Sequence, residues 1–129
     1  MQKVRGLIKA SHFIPTLIVS TIAFVFGAYY WWEGPAYVIA FTVFTGQLVV
    51  GWSNDLYDFA DDQKHQRQNK PLVSGLISQK YLRSWLTFMV AFSFLANILG
   101  PLGIRGGLLY WLGIGFGVAY NFYFKFSVW

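Results

Sequence analysis

Cysteine is absent from the 129 residues, and that removes a disulfide framework, a thiolate nucleophile and any Cys-based zinc site. The redox compartment leaves no mark on such a chain. Charge is scarce as well: 12% of residues are charged, against about 25% in ordinary soluble domains, and only five of them are acidic. Hydrophobic residues fill 56% of the chain and aromatics 21%, so the deficit of charge points to lipid as the solvent. The net charge of +5 does not point to nucleic acid, because the bases form no stripe or face and sit in flanks between apolar runs.

The apolar runs are long. Phe13 to Trp32 is a stretch of 20 residues without a charge, enough at 1.5 Å per residue to cross a hydrocarbon core of about 30 Å. It ends in Tyr29 to Trp32 as an interfacial aromatic belt rather than in a small-residue cleavage site, so it reads as a span and not a signal peptide. Glu33-Gly34-Pro35 reads as a tight turn. Further spans are expected over about 36–53, 81–99 and 107–124, the third closed by Gly100 and Pro101. The expected fold is an all-α membrane protein of about four transmembrane helices, residues 1–129 forming one transmembrane domain with a polar loop over about 54–80.

Lys3, Arg5 and Lys9 precede the first span, and Lys64, Arg67, Lys70, Lys80 and Arg83 lie between the second and third, whereas the opposite side has only Arg105. The positive-inside rule then places both termini and the long second loop in the cytoplasm, a multi-pass topology with which Lys125 agrees.

The one strongly polar stretch runs from Gly51 to Ser78. No Gly or Pro intervenes between Trp52 and Pro71, so the second helix is free to continue past the membrane surface. At 100° per residue, Asn54, Asp55, Asp58, Asp61 and Asp62 would then share an arc of roughly 120°. Four carboxylates on one face repel unless a cation sits among them. Oxygen ligands with no His or Cys beside them suit Mg²⁺, which is commonly held by one or two carboxylates plus substrate phosphates. Arg67 and Lys70 follow directly and are placed to take phosphate oxygens. On the residues alone, a solvated charged loop stands beside this metal-diphosphate reading.

Asn54-Asp55-Leu56-Tyr57-Asp58-Phe59-Ala60-Asp61-Asp62 resembles NDxxDxxxD, the first aspartate-rich motif of the UbiA-type intramembrane prenyltransferases. The similarity continues through Arg67 and Lys70-Pro71-Leu72-Val73-Ser74-Gly75, close to that family's R-x-x-R-P-x-x-S-G segment, with Lys70 in place of the commoner arginine. Gly46 to Ser53 and Ala119 to Lys125 also resemble family segments. The resemblance implies a partial UbiA-type helical bundle, transfer of an isoprenyl group from a prenyl diphosphate to an aromatic or lipid acceptor, and Mg²⁺ as cofactor. It further implies Asp55, Asp58 and Asp62 as catalytic metal ligands and Asn54, Arg67 and Lys70 as diphosphate contacts. The family carries a second aspartate-rich motif and more helices; this sequence has one motif, which reads as a truncated, split or fragmentary form, inactive alone or completed by a second chain. The alternative is a non-catalytic half that holds metal-diphosphate or docks on a larger membrane protein. A small transporter subunit would carry its acids at mid-membrane instead.

Several residues remain open on sequence alone. His12 is either an interfacial residue or part of the site, and His65 reads as loop surface. Gln47, seven residues before Asn54, must find a partner inside the membrane, whether another helix or a substrate. Gly113, Gly115 and Gly117 resemble a small-residue packing face. No strand precedes them, so they are not a nucleotide loop.

Overall fold

The computed structural model describes residues 1–125, and every described element is helical. Five α-helices follow one another: α1 (Gln2–Ala10), α2 (Phe13–Tyr30), α3 (Glu33–Lys64), α4 (Gln79–Leu99) and α5 (Gly103–Ala119), the last continued by a π turn over Tyr120–Phe124. Three of them, α2, α3 and α4, are long and apolar enough to cross a membrane. The fourth expected span is α5, 17 residues carried on by the five of the π turn.

Glu33-Gly34-Pro35 is not the turn that the sequence suggests but the first turn of α3. Proline there forfeits no helical hydrogen bond, and Glu33 complements the positive helix start, so the break between α2 and α3 shrinks to Trp31 and Trp32. At its other end α3 continues past the apolar run as expected and stops at Lys64, well before Pro71. The first half of the polar stretch is therefore helix, and the loop is confined to 65–78.

The first part of that loop, His65 to Asn69, is exposed, and the part around Pro71, Leu72 and Ile77 is tucked in. Leu72 and Ile77 are buried with Ala10, Leu48, Trp52 and Leu82, forming the apolar core at the motif-bearing end of α3. The Trp52 indole N–H donates to the Leu7 carbonyl at 3.0 Å, fastening α1 to α3. Gly51 makes the crossing possible: a Cβ there would lie 2.8 Å from the Ser11 carbonyl oxygen. Farther along, Gly107 lets α5 approach α4, since a Cβ would lie 2.7 Å from the Asn97 carbonyl oxygen. Of the α5 glycines expected to pack, only Gly117 meets a neighbour, Val50; Gly113 and Gly115 face open space.

Several polar residues inside the bundle are paired, while the Trp111 indole N–H and Asn97 Oδ1 are buried without a partner. Asn97, buried in α4, donates to the Ser93 and Thr42 carbonyls at 2.8 and 3.3 Å, and Tyr110 of α5 donates to the Val43 carbonyl at 2.9 Å. Gln47 lies near the Tyr110 hydroxyl and also lines the cavity beneath the acidic motif. Such bonds hold apolar helices together where the hydrophobic effect between them is weak.

Candidate diphosphate site at the end of α3

The last three turns of α3 carry Asn54, Asp55, Asp58, Asp61 and Asp62. Asp55, Asp58 and Asp62 face inward and are only 2%, 5% and 1% exposed. Asp61 turns outward, where His65 and Arg67 lie within 3.3 and 3.8 Å of it. Three buried carboxylates on one helix face would be strongly unfavourable uncompensated. The chain supplies the compensation from three segments outside α3.

Lys70, in the loop, places its ammonium 2.8 Å from Asp55 Oδ1 and 3.8 Å from Asp62 Oδ2. Arg67 donates to Asp62 Oδ1 at 2.7 Å. Its backbone N–H also bonds the Asp62 carbonyl at 3.0 Å, so the end of the helix and the start of the loop are locked together. From the π turn after α5, Lys125 donates to Asp58 Oδ2 and, at 2.9 Å, to Asn54 Oδ1. Asn54 completes this corner by donating to Asp58 Oδ2 at 3.0 Å. The i to i+5 bond from the Lys125 N–H to the Tyr120 carbonyl, 3.0 Å, widens the final turn that carries Lys125. From the break between α1 and α2 comes His12, its Nε2 3.3 Å from Asp55 Oδ1. His12 has φ 49°, the left-handed region that a non-glycine residue occupies only at a cost.

Below the carboxylates lies a cavity of about 280 Å³, lined by His12, Thr16, Gln47, Asn54 and Asn121 among others. Asn121 donates to the Val50 carbonyl at 3.3 Å, tying the π turn to α3 beside this cavity.

All six residues singled out in the sequence thus meet in one place. Two more join them: Lys125, read from the sequence as a topology marker and the end of a family-like segment, and His12, which the sequence left open between the interface and the site. Neither has a local signal, because His12 and Lys125 lie 43 and 67 residues from the carboxylates they reach. His65 stays on the surface as expected.

Residues 11–129 match the sequence profile of the UbiA prenyltransferase family. The chain belongs to that family. No curated protein and no solved structure matches it. The match leaves α1 outside and covers the motif, the loop and α5. As a UbiA family member the chain falls among prenyltransferases, and its apolar helices fit an intramembrane protein.

The family's use of Mg²⁺ has to be weighed against these side chains. Among the described residues no three carboxylates or imidazoles gather as a metal-holding group. Asp55, Asp58 and Asp62 are instead held by the chain's own bases. The donor chemistry nevertheless fits: the acceptors are all hard oxygens, and Asp58 Oδ1 is buried with no hydrogen-bond partner. Such a site suits a Mg²⁺ ion shared between one or two carboxylates and phosphate oxygens, not a cage closed by protein alone.

Proposed function

We propose that this chain binds a prenyl diphosphate with Mg²⁺ at the end of α3 and takes part in moving its isoprenyl group to an aromatic or lipid acceptor. The observation that carries this reading is the meeting of three buried carboxylates with Lys70, Arg67 and Lys125 on flexible side chains. A purely structural role for these charges is unfavourable by comparison, because apolar packing of similar volume would stabilise the same end as well or better.

Asp55, Asp58 and Asp62 are the residues that would hold Mg²⁺, and the ion would offset charge on the diphosphate. When the carboxylates are so engaged, Lys70 and Arg67 turn their donors to phosphate oxygens, with Asn54 adding its amide. The allylic C–O bond breaks with its electron pair leaving on the diphosphate, and these donors stabilise the charge where it develops. An electron pair of the acceptor then forms the new bond to the isoprenyl carbon, and the displaced proton leaves with solvent. Apolar helices around the site keep water from the cation until that bond forms.

The same reading sets the topology. Lys3, Lys70, Lys80 and Lys125 collect at the motif-bearing end, joined through the Lys3–Tyr81, Trp52–Leu7 and Lys125–Asp58 contacts, and Arg105 starts α5 at the other. The positive-inside rule makes the motif-bearing end cytoplasmic. The suggestion of a second chain rests on the sequence alone.

Limited proteolysis in detergent tests the site. Mg²⁺ together with a prenyl thiolodiphosphate is expected to protect the 65–78 loop, and neither alone to do so. Asp55→Asn with Asp58→Asn should abolish the protection. Equal cleavage with and without both ligands, or protection that survives the double change, overturns this site.

A further inference from the structure

A second binding surface lies on α4, on the face turned from the rest of the bundle. Leu82, Ser93 and Asn97 are the buried residues of α4, and at 100° per residue Ser84 points roughly opposite to them. Three adjoining hollows meet at Ser84. One of about 410 Å³ is bordered by Lys3, Ile77, Lys80 and Tyr81, and one of about 450 Å³ by Lys80, Arg83 and Thr87. The third, of about 230 Å³, lies against Trp85 and Phe88. The first two are basic and the third is apolar.

The charge here is one-sided. No aspartate or glutamate occurs after Asp62, and α1 has none either. Lys80 and Arg83 form no ion pair among the described residues, unlike Lys70, Arg67 and Lys125. Lys3 sits over the Tyr81 ring, 5.2 Å from its centroid, which places the start of α1 beside the start of α4. From Tyr81 the aromatic rings descend: Tyr81 to Trp85 at 6.3 Å, Trp85 to Phe88 at 5.9 Å and Phe88 to Phe92 at 5.9 Å. Basic side chains at the start of a membrane-spanning helix, with an aromatic ladder below them along the same helix, match the two ends of a lipid. The bases complement an anionic headgroup and the rings line a path for an acyl chain.

We infer that Lys3, Lys80 and Arg83, with Trp85 and Phe88 beneath them, form a site for an anionic glycerophospholipid. The site goes beyond the diphosphate reading and shares no residue with it. Its α1 component also lies outside the residues that match the family.

Native mass spectrometry of the full chain released from detergent tests the inference, with phosphatidylglycerol and phosphatidylcholine of the same acyl composition as probes. Phosphatidylglycerol is expected to stay bound where phosphatidylcholine does not. Each of Lys3→Ala, Lys80→Ala and Arg83→Ala should weaken its retention about fivefold, the usual share of one base near a charged headgroup. Lys9→Ala, on α1 but outside the hollows, should leave retention unchanged. Asp55→Asn with Asp58→Asn should also leave it unchanged, which separates failure of this site from failure of the diphosphate site. Equal retention of the two lipids overturns the inference, as does displacement of phosphatidylglycerol by excess inorganic phosphate. A loss in Lys9→Ala as large as in Lys80→Ala overturns it too, since the attraction would then be spread over the whole basic end.

Discussion

Lys70 spans two turns of α3 with one ammonium, 2.8 Å from Asp55 and 3.8 Å from Asp62. Both carboxylates are buried and Lys70 itself is mostly so, which makes this the least water-screened pairing in the site. Lys70→Met is expected to lower stability by about 3 kcal/mol, the lower end of what stranding a buried charge costs. Lys70→Arg keeps the charge and should lose much less. Unfolding in mixed micelles followed by circular dichroism measures both, and a Met variant as stable as the parent would show that the carboxylates do not depend on Lys70.

Two glycines should respond in opposite ways to the same methyl group. At Gly51 the added carbon would lie 2.8 Å from the Ser11 carbonyl, a backbone atom that cannot swing aside. Gly51→Ala should therefore cost about 1–3 kcal/mol by forcing α3 from the α1–α2 break. Gly115 has nothing within 4 Å, so Gly115→Ala should be neutral or stabilise by up to about 1 kcal/mol through helix propensity. Equal effects at the two positions would mean that α1 does not press on α3 as described.

Much of this architecture was legible in the sequence, because membrane spans announce themselves by length and by absence of charge. The α3 extension was legible for a related reason: from Trp52 to Lys64 nothing breaks a helix, and acids at 55, 58 and 62 recur on one face. The start of α3 was misread because Glu-Gly-Pro favours a turn in isolation but equally suits a helix N-terminus. What no local pattern encodes is long-range compensation. That His12 and Lys125 reach Asp55 and Asp58 depends on how α2 and α5 pack on α3. The packing of Gly117 but not of Gly113 or Gly115 depends on the same crossing.

His12 offers a separable test of geometry and chemistry. Its φ of 49° already strains the parent chain, so His12→Ala keeps that strain and should stay within about 1 kcal/mol of the parent, whereas His12→Gly relieves it and should be about 1 kcal/mol more stable than His12→Ala. Both remove the 3.3 Å contact to Asp55. Loop protection by Mg²⁺ and a prenyl thiolodiphosphate should weaken alike in the two variants. If Ala proves as stable as Gly, the α1–α2 break does not hold this conformation.

The lack of cysteine makes topology directly measurable. Gln68→Cys, in the exposed loop after α3, should react with a membrane-impermeant maleimide only when the cytoplasmic face is open to the reagent. Arg105→Cys, at the start of α5, should react only from the opposite face. The reverse pattern would invert the orientation that the bases imply.

Taken alone, these 129 residues should bind a prenyl diphosphate with Mg²⁺ yet show no measurable isoprenyl transfer. The sequence carries one aspartate-rich motif, and its three buried carboxylates are already matched by Lys70, Arg67 and Lys125. Ionising an allylic diphosphate requires most of the leaving charge to be offset, and one motif provides half of what the family resemblance implies. Preorganised charge also loses strength as water enters. The helices described here leave much of their apolar surface open, with α2 and α4 both largely exposed along their spans. A turnover assay with Mg²⁺, a prenyl diphosphate and a panel of aromatic and lipid acceptors measures this, with the loop-protection assay confirming that ligand is bound. Robust turnover by the purified chain would refute the half-site reading and require that copies of the chain complete one another's cavity.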